Sequence, residues 1–223
     1  MLPERLTWID DTNRPDHFFL DTGDQCLFFG EYFSGTGFSG GPTNQLLHNF
    51  KIKPSVIVAN SARRRYKESA IREIAEGLRR AIAAEFLPKI TFIPVPPSKI
   101  PGHPDYCDRM IRTLNLAFAG TAADVRPLLM QTSDAVADHE TRERMSMSDL
   151  LEIVTVDERQ LAYPPRPTII LVDDVLTSGK HFKVCKQRVM EKLPHWDIFG
   201  IFVARCVRPN PTSLLLKPTL DPV

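Results

Sequence analysis

The chain has no long hydrophobic run. Nothing in it approaches the roughly 18–20 apolar residues that a membrane span needs. The opening residues Met1-Leu2-Pro3-Glu4-Arg5 lack the charged-then-apolar layout of a secretory signal, so a cytoplasmic location is expected. Charge of one sign is also missing: the formal net charge is +1. No global field therefore draws the chain to a membrane surface or to nucleic acid. The four cysteines, Cys26, Cys107, Cys185 and Cys206, form no close pair, and the short ligand spacing of a structural zinc site is absent. Reduced, buried thiols are the expectation.

A soluble globular composition remains: 43% hydrophobic and 25% charged over 223 residues, enough for one good-sized core. Residues 1–50 are aromatic and turn-rich. Phe18, Phe19, Phe28, Phe29, Phe33 and Phe38 lie among several glycines, which suggests a small N-terminal accessory lobe or hood. Residues 51–207 read as the core and residues 208–223 as a Pro-rich tail.

Within the core, helical and apolar segments alternate. Residues 55–59 (SVIVA) read as a short strand. Residues 64–86 read as a long helix with Ile71, Ile74, Ala75, Leu78 and Ile82 on one stripe. A strand at 90–95 follows, then a helix at 105–118, a strand at 125–130, a partly helical polar stretch at 140–151 and a short strand at 151–156. The run TIILV at 168–172 is continuously apolar, as in a sheet buried on both faces. A helix at 180–193 and an apolar strand at 198–204 complete the series. The alternation predicts an α/β fold, a parallel β-sheet flanked by helices. Ligands in such sheets bind at the carboxyl ends of the strands.

Two stretches carry chemistry at such ends. In the first, the strand at 168–172 runs into Asp173-Asp174-Val175-Leu176-Thr177-Ser178-Gly179-Lys180. A helix starts there, and its free N–H groups and positive dipole end favour an anion. Thr177 and Ser178 add hydroxyls, and Gly179 allows close backbone approach. The paired carboxylates suit the hydroxyls of a sugar carrying that phosphate, and they suit magnesium as well. A P-loop is excluded, because it needs glycine where Asp174 stands. A plain capped helix leaves a double acid without partners at the end of a buried strand, which is costly. The second stretch is Pro96-Pro97-Ser98-Lys99 after the strand at 90–95.

VDDVLTSG resembles the phosphoribosyl pyrophosphate motif of the type I phosphoribosyltransferases, in particular their ComF-like branch. The resemblance covers roughly residues 50–207 and outside the two loops rests on layout. It implies that Asp173 and Asp174, the catalytic pair, hold the ribose hydroxyls, with Mg held mostly through substrate or water. It implies that Thr177, Ser178, Gly179, Lys180 and His181 hold the 5′-phosphate; the family usually has threonine at His181, and histidine can also donate a hydrogen bond. Pro97, Ser98 and Lys99 match the family's pyrophosphate loop. Residues 131–144 match a mobile hood loop, with His139, Arg142 and Arg144 as pyrophosphate contacts. Lys51 matches a lysine that the branch places before its first core strand, and residues 105–109 match a polar helix start. The zinc-binding cysteine pairs common in the branch are missing here.

The implied activity is transfer of a ribose phosphate between phosphoribosyl pyrophosphate and a nitrogenous base. The alternative is a non-catalytic ribose-phosphate or nucleotide sensor on the same fold. The partners expected are phosphoribosyl pyrophosphate or a nucleotide and an unidentified base acceptor. Neither a membrane nor nucleic acid is expected, and a homodimer is left open. Asp21-Thr22-Gly23 matches the aspartic protease triplet, but a protease needs two facing carboxylates. The cluster Arg63-Arg64-Arg65 suits nucleic-acid phosphates, but Glu68, Glu73 and Glu76 follow it closely, which favours a solvated helix.

Overall fold

A computed structural model describes residues 2–134 and 145–208. Among the described residues there are eight strands: β1 (Thr7–Trp8), β2 (Gln25–Phe33), β3 (Ile90–Pro94), β4 (Asp124–Val125), β5 (Leu129–Gln131), β6 (Val154–Val156), β7 (Thr168–Leu176) and β8 (Asp197–Val207). The helices are α1 (Pro42–Phe50), α2 (Pro54–Ala59), α3 (Arg63–Ala81), α4 (Arg109–Phe118), α5 (Met147–Ile153) and α6 (Lys180–Lys192). The main sheet has the order β1-β2-β8-β7-β3-β4, parallel throughout except for β1. β5 and β6 form a separate antiparallel pair. The architecture is α/β with a mostly parallel six-stranded sheet flanked by helices. Among the described residues no helix is long and apolar enough to cross a membrane.

The sheet buries both faces. One cluster joins Phe92, Ile170 and Val172 of the strands to Leu47 and Phe50 of α1, Ile74 and Leu78 of α3, and Leu114 and Phe118 of α4. The other joins Ile93, Ile169 and Leu171 to Phe182, Val184 and Val189 of α6 and to Leu150 and Val154 beside it. Even-numbered residues of β7 up to Val172 face α3 and α4, and odd-numbered ones face α6, as the two-residue period requires. This double burial is why Ile169–Val172 is uninterruptedly apolar.

Several expectations change. The first 50 residues are not a separate lobe: β2 lies inside the sheet, parallel to β8, and α1 supplies Leu46, Leu47 and Phe50 to the core. Residues 55–59 are helical rather than a strand. A short apolar run does not distinguish the two by itself. Here Pro54 opens the helix, Val58 is 88% exposed, and the Asp105 carboxylate accepts from the Ser55 N–H at 3.1 Å.

The long helix stops at Ala81 rather than running to residue 86. Ile82 turns extended, and the following 3-10 turn inserts Leu87 into the core while Phe86 stays exposed. α4 starts at Arg109 rather than at 105, because Asp105 is engaged with α2. The strand expected at 125–130 is two pieces, β4 and β5, in different sheets. The strand expected to end at Val172 continues through both aspartates to Leu176, since the longer β8 pairs with it up to Arg205.

Candidate functional site

β3 and β7 are neighbours, paired up to Pro94 and Val172. From β3 the chain crosses through α4 to β4 on one side; from β7 it crosses through α6 to β8 on the other. The two helices lie on opposite faces, so the strand order reverses between β3 and β7. A crevice opens at such a reversal, outside the carboxyl ends. The Val95 N–H donates to the Val172 carbonyl at 2.9 Å, and then the strands part. β7 continues alone on that side, carrying Asp173 and Asp174 into the crevice wall. Pro97, Ser98 and Lys99 leave β3 at the same edge. Ser98 is exposed and Lys99 half-buried, and neither side chain has a hydrogen-bond partner among the described residues.

The two aspartates differ. Asp174 is buried and faces α4 and the end of α1. Its Oδ1 lies 2.9 Å from the Lys51 ammonium and its Oδ2 accepts from Arg109 Nη2 at 2.7 Å. Burial alone would raise its pKa, but the charges of Lys51 and Arg109 outweigh burial and hold it well below the usual carboxylate range. Asp173 is half-buried and faces α6, where its charge, after burial, helps push up the Cys185 thiol. It has no cationic partner among the described residues; its Oδ1 accepts from the Asp174 N–H at 2.7 Å. Burial first, and the neighbouring Asp174 charge second, push Asp173 up to about 7. One carboxylate is clamped and the other is open.

The loop after β7 is shaped from the opposite end of the sequence. Buried His17 is placed with its Nδ1 against the Thr177 carbonyl, and the Phe19 N–H donates to the Ser178 carbonyl at 3.0 Å. A trans peptide points its C=O and the next N–H in opposite directions. Fixing these two carbonyls on residues 17–19 therefore turns the N–H groups of Ser178 and Gly179 away from that segment. Neither has an acceptor among the described residues.

Gly179 is left-handed at φ +86°, and a Cβ there would lie 2.8 Å from Leu20. Both facts require glycine. Lys180 opens α6; its ammonium touches the Met145 carbonyl and sits 5.5 Å from the Phe19 ring. His181 is exposed on the first turn. The result is a helix N-terminus with outward N–H groups and the hydroxyls of Thr177 and Ser178 beside it, a chemistry suited to an anion.

The structure thus brings Asp173, Asp174, residues 177–181 and residues 97–99 to one sheet edge, and adds Lys51. His139, Arg142 and Arg144 lie outside the described residues. Sequence reasoning missed the clamp role of Arg109, although it singled out residues 105–109 as a helix start. It also missed His17 and Phe19. A further buried pair beside the clamp, Lys67 donating to Cys107 Sγ at 3.0 Å, had no sequence signal either. Burial works to raise the Cys107 thiol, but Lys67 and Arg109 lower it overall.

No protein-family model matches the chain, and no curated protein matches it.

Proposed function

We propose that this chain is a phosphoribosyltransferase, built on the type I phosphoribosyltransferase fold, that takes phosphoribosyl pyrophosphate and a nitrogenous base. The observation that supports this reading most is the meeting of two loops at the β3–β7 strand reversal, with an acidic pair between them. The 5′-phosphate takes the N–H groups of Ser178 and Gly179, the hydroxyls of Thr177 and Ser178 and the positive end of α6. Ribose hydroxyls donate to Asp173 and to the remaining lone pairs of Asp174, since each carboxylate oxygen accepts more than once. The pyrophosphate lies along residues 97–99, near the Lys99 ammonium. No side chain is required as nucleophile; positioning and stabilisation of the leaving group do the work.

Among the described residues no group of three or more His, Cys, Asp or Glu side chains is placed to hold a metal ion. Magnesium commonly binds through one or two carboxylates together with substrate phosphates. Asp173 fits that use, because it is a carboxylate without a cationic partner among the described residues. Asp174 fits it less well, because Lys51 and Arg109 already neutralise it. Bound magnesium supplies charge neutralisation to the leaving pyrophosphate.

The neutralised Asp174 is also the observation that favours a second reading, a ribose-phosphate sensor without turnover. The test measures ribose 5-phosphate and phosphoribosyl pyrophosphate binding with magnesium, then pyrophosphate release across a panel of bases. Gly179→Ala should weaken ribose 5-phosphate binding at least tenfold, through strain at φ +86° and the Leu20 approach. Tight binding with no release for any base supports the sensor. Absence of binding, unchanged by Asp173→Asn with Asp174→Asn, sinks both.

A further inference from the structure

Lys67 and Cys107 meet in the packing between α3 and the segment that leads into α4. Lys67, in the second turn of α3, is 3% exposed, and Cys107 is 8% exposed. The Lys67 ammonium donates to Cys107 Sγ at 3.0 Å and also touches the Ile52 carbonyl. We infer that this pair is a peroxide-responsive covalent switch: oxidation of Cys107 lets the Lys67 amine close on the sulfur, forming an N–S bond between segments 40 residues apart. The inference does not depend on the transferase reading.

The surroundings single out this thiol. A buried ammonium without a counter-charge is costly. Among the described residues no carboxylate lies within ion-pair distance of Lys67, so the Cys107 sulfur is its counter-ion, as a thiolate. Burial at Cys107 is outweighed by Lys67 and by Arg109 two residues on, and the thiol is lowered. At Cys26, Cys185 and Cys206 burial dominates and pushes the thiols up. Among the described residues none of those three accepts a hydrogen bond from a cation. The thiolate is the nucleophilic form, and reactive cysteines sit beside cations with some solvent access. Cys26 and Cys185 are sealed at 0% and 1% exposure, whereas Cys107 keeps an opening for a molecule as small as hydrogen peroxide.

The chemistry balances with one peroxide. The thiolate attacks a peroxide oxygen: the S–O bond forms, the O–O bond breaks and hydroxide leaves. Sulfur loses two electrons and the peroxide gains them. The hydroxide takes a proton from the Lys67 ammonium and becomes water. A neutral amine is then left against a sulfenic sulfur, an electrophile that condenses with nitrogen. The N–S bond forms, the S–O bond breaks, and the hydroxyl departs as a second water with one amine proton. Thiolate, ammonium and peroxide thus give a sulfenamide and two waters. The flexible four-carbon stem of lysine closes the remaining gap, and the N–H left on nitrogen still faces the Ile52 carbonyl. A dithiol reopens the bond by attacking sulfur. Closure ties α3 to the residue two before Arg109, the arginine that holds Asp174.

The test is peptide mapping by mass spectrometry. The full folded chain is reduced and then treated with hydrogen peroxide, with dimedone as a sulfenic-acid trap in a parallel sample. The wild type should yield peptides joined at Lys67 and Cys107, lighter by two hydrogen atoms than the separate pair, and dithiothreitol should release them. Cys107 should be consumed at least tenfold faster than Cys26 and Cys185. Lys67→Arg keeps a cation beside the sulfur, but a guanidinium does not give up its proton. That variant should form no joined peptide and should carry dimedone on Cys107 instead, and Cys107→Ser should show neither product. The wild-type samples decide the inference even where a variant fails to fold. Dimedone on Cys107 without any joined peptide, a joined peptide ending at another lysine, or Cys107 consumed no faster than Cys26 and Cys185 overturns it.

Discussion

Asp173 and Asp174 are chemically identical neighbours with opposed surroundings. Asp174 gains two cations, so its ionised form is favoured in the fold. Asp173 gains burial and a like charge, so its protonated form is favoured. A carboxyl whose folded pKa lies above its unfolded value holds more protons folded than unfolded between the two. Stability therefore falls as pH rises from about 4 to about 7. Each pH unit in that window sets an upper limit of about 1.4 kcal/mol, and solvent access to a half-buried group reduces the total to about 2 kcal/mol. The expected outcome is a wild-type chain less stable to urea at pH 8 than at pH 5, with Asp173→Asn removing most of that difference. A difference that persists unchanged in Asp173→Asn assigns it elsewhere. Ribose phosphate with magnesium should narrow the gap, because it gives the ionised Asp173 partners.

At the scale of elements, three segments converge on one carboxylate. β7 brings Asp174, the end of α1 brings Lys51 and the first residue of α4 brings Arg109. Removing one cation from a buried carboxylate leaves charge uncompensated, with typical losses of about 3–5 kcal/mol. Because one cation stays, Arg109→Met is expected to lose about 2–3 kcal/mol in urea unfolding. Lys51→Met should lose less, about 1 kcal/mol, since Lys51 is 44% exposed and solvent screens it. No loss for either variant would mean that Asp174 is protonated rather than clamped, and equal losses would mean that exposure does not weaken the Lys51 contact. This element-level geometry also marks where the sequence stopped being legible. β7 and its loop were readable because strand, acids, hydroxyls and glycine are contiguous. The clamp was not, because Arg109 lies 65 positions from Asp174. The carbonyl hold of His17 on Thr177 spans 160 positions and leaves no local pattern. α2 was misread for the reverse reason: its local pattern was a strand's, and a proline and a distant aspartate decided otherwise.

For the whole molecule, the first 50 residues are part of the sheet and of the site. β2 shields the β8 edge that would otherwise stand open, and its Cys26 and Phe28 enter one face of the core while Phe29 enters the other. α1 adds Leu46, Leu47 and Phe50. Each large buried side chain contributes about 1.5–3 kcal/mol relative to exposure, so losing these groups removes on the order of 10 kcal/mol. That is comparable to the roughly 5–15 kcal/mol by which domains are stable at all. Residues 51–223 alone should therefore not fold cooperatively. They should retain far-UV signal, lose near-UV signal and unfold without a sigmoidal urea transition. Short of that, cutting only residues 1–20 keeps β2 and α1 but removes His17, Phe19 and Leu20. That chain should keep a cooperative transition while binding ribose 5-phosphate at least tenfold more weakly, because the carbonyls of Thr177 and Ser178 lose their anchors. A cooperative fold for residues 51–223 would restore the accessory-lobe reading of the first 50 residues. Undiminished phosphate binding without residues 1–20 would show that the loop after β7 holds its shape alone.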